Sequence, residues 1–235
     1  MGHAHLGLHQ PKAGIIILCR YDSTRLPGKV LLKIAGKEVL GYIYERALKV
    51  MGPENVVVAT STEKDDQPIV DYCAARKINC FRGSKDNVAQ RFLQCGQKFN
   101  FDYLVRVCGD SVLLDHALLA KMIKIALEGQ YDLVSNVQKR TFPPGMSLEI
   151  VKRGFYERAI GHMTSKEDKE HVTSYLYKNE GPERYFFVYN DECPEMKNAQ
   201  LALDDASDLD FLTKIIKAMR KDHREYLLKD IHQLI

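Results

Sequence analysis

The sequence predicts an α/β fold built on a doubly wound, mostly parallel sheet, and three observations carry that expectation. Residues 14–19 (GIIILC) form an apolar run without period-two alternation, as a strand covered on both faces requires. Through the first half, short β-branched runs of this kind alternate with longer stretches whose apolar residues recur at helical spacing. A chain of 235 residues, 45% hydrophobic and 28% charged, has material for one large core. Strand, helix, strand in this rhythm means parallel strands joined by right-handed crossovers. In such sheets ligands bind beyond the carboxyl ends of the strands. Function is therefore expected in the loops after Cys19, Thr60 and Val107.

After the first strand and a polar loop, residues 39–50 put Leu40, Ile43, Tyr44, Ala47 and Leu48 on one helical stripe, which Gly52-Pro53 ends. Residues 55–60 (NVVVAT) read as a buried strand, 65–77 as a helix and 79–81 as a short strand. A helix over 86–99 follows, with Ser84 or Asp86 as its N-cap. Residues 102–107 (DYLVRV) are a strand running into Cys108-Gly109-Asp110, then 116–128 a helix and 131–135 a strand. The second half is mixed. A proline-rich turn at 141–145 (TFPPG) precedes a strand at 147–151 and helices at 156–163 and 167–177. Residues 185–189 (YFFVY) form an aromatic strand, a candidate homodimer contact. Residues 201–203 form a strand leading to Asp204-Asp205, and a final helix runs from Ser207 to the C-terminus. The expected organisation is a flexible tail over 1–13, carrying His3, His5 and His9, and a single domain over 14–235. Within that domain a smaller α+β segment at 141–199 is laid on one sheet edge.

Composition excludes several classes. A net charge of +3, with Lys and Arg dispersed, gives no footprint for nucleic acid. No apolar run reaches the roughly 18 to 20 residues a membrane span needs. The six cysteines show neither C-x-x-C pairs nor metal-ligand spacing, so they read as reduced thiols of a cytoplasmic protein.

The chemistry concentrates in Arg20-Tyr21-Asp22-Ser23-Thr24-Arg25-Leu26-Pro27-Gly28-Lys29. Arg20, Arg25 and Lys29 supply cations, Ser23 and Thr24 hydroxyls, and Gly28 a close backbone approach, all directly behind a buried strand. A triphosphate needs several positive groups and N–H donors converging on one point. Composition alone leaves a solvated basic turn equally open. The loop is no Walker A motif, since Lys29 is followed by Val30 rather than Ser or Thr. Asp110 closes a strand after Gly109 and Asp204 closes residues 201–203, where carboxylates suit a magnesium ion beside phosphates. Either could instead be a helix cap, Asp205 likewise, while Asp208 and Asp210 read as solvent-facing acids of the last helix's first turn.

The run ILCRYDSTRLPGKVL resembles the signature loop of the bacterial sugar-acid cytidylyltransferases, a group that includes the CMP-Kdo synthetases and acylneuraminate cytidylyltransferases. Its nearest likeness is the spore coat polysaccharide branch. VVVATS with DD-x-P-I-V, CFRGS-x-D-N-V-x-x-R-F, VRVCGD, EHVTSYLYKN and L-x-L-D-D-x-x-D-L follow in that family's order. The resemblance implies a Rossmann-like nucleotide-diphospho-sugar transferase fold that transfers CMP from CTP to a sugar, an ulosonic or nonulosonic acid, for surface polysaccharide. It implies that Arg20, Ser23, Arg25 and Lys29, with Thr24, Gly28 and Gly109, hold the triphosphate, and that Gly83, Ser84 and Asp86 close over base and ribose. Lys29, Arg20 and Asp110 would carry catalysis, and Asp110 and Asp204 would bind Mg²⁺. Glu149, Arg106 and His171 are candidates for the sugar, with Lys139 and Arg140 near them. A homodimer is the expected assembly.

Three departures bear on the acceptor. Val112 stands where the family carries proline, Pro143-Pro144-Gly145 replaces a P-D-G triplet, and the chain has no Trp. Two other readings remain open at this point. A polyol-phosphate cytidylyltransferase wants a glycine-rich opening loop, which is lacking. A sugar-nucleotide-dependent glycosyltransferase wants an Asp-x-Asp closing a middle strand, and here Asp208-Leu209-Asp210 lies in a helical pattern.

Overall fold

The first apolar run folds as β1 (Ala13–Leu18), in which Ile15, Ile16 and Ile17 are all fully buried. Ile15 and Ile17 join the core on one face of the sheet and Ile16 the core on the other, which is why the run shows no alternation. The computed structural model describes residues 10–179 and 182–235, so His3, His5 and His9 of the expected tail lie outside the described residues. Of that expected tail, Ala13 belongs to the sheet, and the Lys12 carbonyl just ahead of it accepts the Tyr103 N–H. Ala13 opens β1, and the Lys12 backbone N–H donates to Asp102 Oδ2 at 2.8 Å.

An unpredicted two-residue hairpin, β2 (Lys33–Ile34) and β3 (Lys37–Glu38), leads into α1 (Val39–Ala47). Then come β4 (Val56–Ser61), α2 (Gln67–Ala75), β5 (Asn79–Gly83), α3 (Val88–Lys98), β6 (Tyr103–Cys108), α4 (His116–Gly129) and β7 (Leu133–Ser135). The second half supplies β8 (Glu149–Lys152), α5 (Arg153–Ile160), α6 (Lys166–Glu170), α7 (Ser174–Asn179), β9 (Tyr185–Phe187), α8 (Ala206–Ala218) and α9 (Leu228–His232). The main sheet has the order β5-β4-β1-β6-β8-β7-β9. Every pairing is parallel except those of β8, which runs antiparallel between β6 and β7. The mixed second-half segment thus gives the sheet one interior strand and one edge. No described helix is long and apolar enough to cross a membrane.

Several expected boundaries move for local reasons. The N-cap of α3 is Asn87, whose Oδ1 accepts the Gln90 N–H at 2.9 Å, rather than Ser84 or Asp86. Ser84 Oγ instead accepts the Asn87 N–H, and Asp86 is exposed. The helix expected over 167–177 breaks at Val172, which has φ 56°. Tertiary partners pull that turn out of helix. The Tyr156 hydroxyl donates to the Val172 carbonyl at 2.7 Å, and Thr173 Oγ1 donates to Glu149 at 2.7 Å. Residues 201–203 do not form a strand and bend at Ala202, held by Leu201 N–H to the Pro144 carbonyl and Leu203 N–H to the Asp110 carbonyl, both 3.1 Å. α8 stops at Ala218, because Met219 is extended. Asp208 is not solvent-facing. It is buried, and its carboxylate accepts the backbone N–H of Asp204 and of Asp205.

Candidate functional site

The loop behind β1 is fixed at Tyr21. Its N–H donates to Asp66 Oδ1 at 2.6 Å, while the other carboxylate oxygen of Asp66 accepts the Ser61 N–H at 2.9 Å. Asp66 is 1% exposed, so one buried carboxylate ties the loop to the end of β4. The Tyr21 carbonyl then accepts from Ser23 N–H and from Gly28 N–H, closing the loop on itself. Gly28 sits at φ 69°, and a Cβ there would lie 2.9 Å from the Tyr21 ring. Only glycine combines that left-handed turn with that approach.

The turn aims Lys29 inward. Its Nζ donates to the Leu203 carbonyl at 2.7 Å and to Asp204 Oδ1 at 3.1 Å, and lies 3.7 Å from Asp110 Oδ2. Arg25 Nη2 reaches the same Asp204 oxygen at 2.8 Å. Four residues predicted from three separate parts of the sequence therefore meet. Asp110 arrives because Gly109, just past β6, packs flat on Cys19, where an added Cβ would lie 2.5 Å from that residue's Cβ. Burial raises the Asp110 carboxyl above its usual range, Lys29 opposes this, and the charge of Asp204 adds to it. Asp204 is free to face the cavity because Asp205 does the capping of α8, accepting Ser207 N–H and Asp208 N–H. Two carboxylates that share one cation and crowd each other form a donor set suited to a hard divalent ion.

Arg20, Ser23, Thr24, Arg25, Lys29, Gly109, Asp110 and Asp204 line one cavity of about 550 Å³. Arg106, Glu149 and His171 line a second of about 560 Å³, and Arg106, Cys108, Asp110 and His171 are common to both. Gly28, Gly83, Ser84 and Asp86 are not on the first cavity's wall. The 84–87 segment touches it through Lys85, whose Nζ lies 2.5 Å from Asp22 Oδ2, and Asp22 is in turn 3.7 Å from Arg20.

On the second cavity, Glu149 is 2% exposed and its acceptors are taken by Arg106, by Thr173 Oγ1 at 2.7 Å and by the Tyr177 hydroxyl at 2.6 Å. It organises the wall rather than presenting a free carboxylate. The strained Val172 stands between the exposed His171 of the wall and Thr173 in that network. Arg140 lines the wall, whereas Lys139 lies over the Tyr189 ring, 5.4 Å from its centroid. Sequence reasoning assigned no role to Asp66, Asp22 or Arg91. Asp66 and Arg91 stand inside quoted motifs, DDQPIV and DNVAQRF, yet only the fold shows that their side chains turn toward the loop behind β1.

Residues 14–225 match the protein family described as Cytidylyltransferase. The structure of a cytidylyltransferase from Leptospira borgpetersenii is similar at 30% identity with a TM-score of 0.89, over 96% of this chain and 94% of that one. The spore coat polysaccharide biosynthesis protein SpsF of Bacillus subtilis is 29% identical over 204 residues, covering 82% of this chain and 81% of its own length. A structure of CMP:2-keto-3-deoxy-manno-octonic acid synthetase complexed with CTP shares the fold, with a TM-score of 0.65 at 18% identity over 88% of this chain and 98% of that one.

Proposed function

The chain belongs to the cytidylyltransferase family and is a CTP-dependent nucleotidyltransferase; on that premise we propose that it transfers CMP from CTP to a sugar hydroxyl and releases pyrophosphate. The acceptor is an ulosonic or nonulosonic acid, and the product feeds surface polysaccharide in the cytoplasm, in keeping with the likeness to the spore coat protein. The observation that supports this best is that two cavities abut at Asp110 and Arg106, a donor site and an acceptor site sharing one wall.

In this mechanism the acceptor hydroxyl oxygen bonds to the α-phosphorus as the bond from that phosphorus to the β-bridging oxygen breaks. The hydroxyl proton leaves to solvent, and pyrophosphate takes the electron pair. Arg20, Arg25 and Lys29 hold the leaving group, and Ser23, Thr24 and the Gly109 backbone orient it. Lys29 is already aimed by its bond to the Leu203 carbonyl, so little reorganisation is needed at the moment of reaction. Asp110 and Asp204 are the residues that would hold Mg²⁺, which when bound neutralises phosphate charge. Glu149 fixes Arg106 beside Asp110, and Arg140 and His171 flank the acceptor. A homodimer through the edge strand β9, where Phe186 is exposed, completes the proposal.

The test is pyrophosphate release with Mg²⁺ and CTP, UTP or ATP against ulosonic acids, other sugars and polyol phosphates. Release with CTP and an ulosonic acid is expected. Release only with polyol phosphates, or with no acceptor at all, overturns the acceptor assignment.

A further inference from the structure

Arg91 lies one turn into α3, among the buried residues of that helix with Val88, Phe92 and Cys95, and is itself 1% exposed. Its stem is fixed beneath the end of β5, where a Cβ on Gly83 would come within 2.8 Å of Arg91 Cγ. Nη1 donates to the Ser84 carbonyl at 2.8 Å, and Nε is buried with no partner among the described residues. The side chain forms part of the cavity wall that also carries Arg20, Arg25 and Lys29.

The charges on that wall are not equally matched. Arg25 and Lys29 share Asp204, at 2.8 and 3.1 Å, Arg20 lies 3.7 Å from Asp22, and Arg106 is paired with Glu149. Arg91, among the described residues, is the cavity cation with no carboxylate within the 4.0 Å of an ion pair. Arg46, the other large buried arginine, shares the unpartnered Nε but not the place, since it is off this cavity and donates through both Nη atoms to the carbonyls of Leu114, Tyr226 and His223. Burial of a guanidinium without a counter-charge is costly, and that cost is recovered when an anion arrives beside it in a low-dielectric site.

We propose that Arg91 provides a buried positive charge, delivered through the cavity wall, that favours a nucleoside triphosphate over the monophosphate. The proposal rests on the reading that this cavity holds CTP. Arg91 acts through its field and not as a forked ligand, because it is covered. Its charge, rather than its bond to Ser84, is the functional property.

Arg91→Gln separates the two, since glutamine removes the charge and keeps an N–H donor for the Ser84 carbonyl. Binding of CTP and of CMP is measured by titration calorimetry with Mg²⁺ for the wild type, Arg91→Gln and Arg91→Lys. The expected result is a ratio of CTP to CMP affinity at least tenfold lower in Arg91→Gln, with CMP affinity unchanged and an unliganded Tm no lower than wild type. Arg91→Lys, which restores the charge, keeps the ratio within threefold. An unchanged ratio in Arg91→Gln overturns the proposal, and if that variant does not fold, a tenfold fall in Arg91→Lys does so. A wild type that binds CTP no better than CMP overturns the reading of the cavity itself, a result distinct from failure of the Arg91 assignment.

Discussion

Lys29 and Asp204 are 175 residues apart in sequence and 3.1 Å apart in space, and the contact joins the loop behind the first strand to the segment that starts the last long helix. Removing the ammonium leaves Asp110 and Asp204 facing each other across the place it held. Lys29→Met is expected to lower pyrophosphate release by roughly a hundredfold or more, the scale seen when one preorganised charge-stabilising donor is lost. Steady-state rates at saturating CTP measure it, and a rate near wild type would remove Lys29 from the mechanism.

Neighbouring aspartates are expected to part company. Treatment with EDTA should abolish pyrophosphate release and Mg²⁺ restore it, and Asp110→Asn or Asp204→Asn should reproduce the loss at any Mg²⁺ concentration. Asp205→Ala removes only the cap of α8, so it should cost about 1 kcal/mol of stability and leave turnover at the wild-type level. Turnover lost in Asp205→Ala but kept in Asp204→Asn would reverse the assignment.

Two glycines with similar φ give a controlled comparison. Gly36 has φ 87° with nothing within 4 Å of an added Cβ, and Gly145 has φ 90° with the Leu201 carbonyl 2.4 Å away. Gly36→Ala should cost roughly 1 to 2 kcal/mol for the left-handed conformation alone. Gly145→Ala must also displace the backbone that leads to Asp204, so its Tm should fall much further and CTP affinity with it. Equal Tm changes for the two would show that the 143–145 turn does not hold residues 201–203 in place.

Asp66 supplies a pH dependence. Burial alone would raise its carboxyl, but hydrogen bonds, those from the backbone N–H groups of Ser61 and Tyr21 among them, outweigh it and leave it below its ordinary value. The unfolded chain therefore binds this proton first, so the stability Asp66 contributes is full above about pH 4 and is lost as the pH falls through its folded value. Asp66→Asn should cost roughly 1 to 3 kcal/mol at neutral pH. The Tm gap between variant and wild type should stay level from pH 7 to about 4 and narrow below that. A gap that stays constant into acid would mean the carboxylate charge plays no part.

The parts legible in the sequence are those set by short-range pattern. Ile15, Ile16 and Ile17 announced a strand covered on both faces, and the Ser23 to Lys29 motif announced the loop behind it. What escaped depends on distant partners. Val172 breaks a helix that its neighbours favour because Tyr156 claims its carbonyl and Glu149 the hydroxyl of the next residue. Asp208 looked like an exposed acid of a first turn until Asp204 and Asp205 folded back to donate to it. Arg91 carried no local sign that it would lack a paired carboxylate among the described residues, because that depends on where distant acids fold.

The antiparallel strand β8 imposes an order of events on chain synthesis. β5, β4, β1 and β6 can pair as soon as residue 108 has emerged, but β6 then presents an uncovered edge until β8 at 149–152 is made. β7 emerges earlier than β8 yet has no place in the sheet without it. During that interval the nascent protein carries an open, apolar strand edge of the kind that recruits other chains. Nascent chains arrested before residue 149 should be the form most prone to aggregate and most in need of a chaperone.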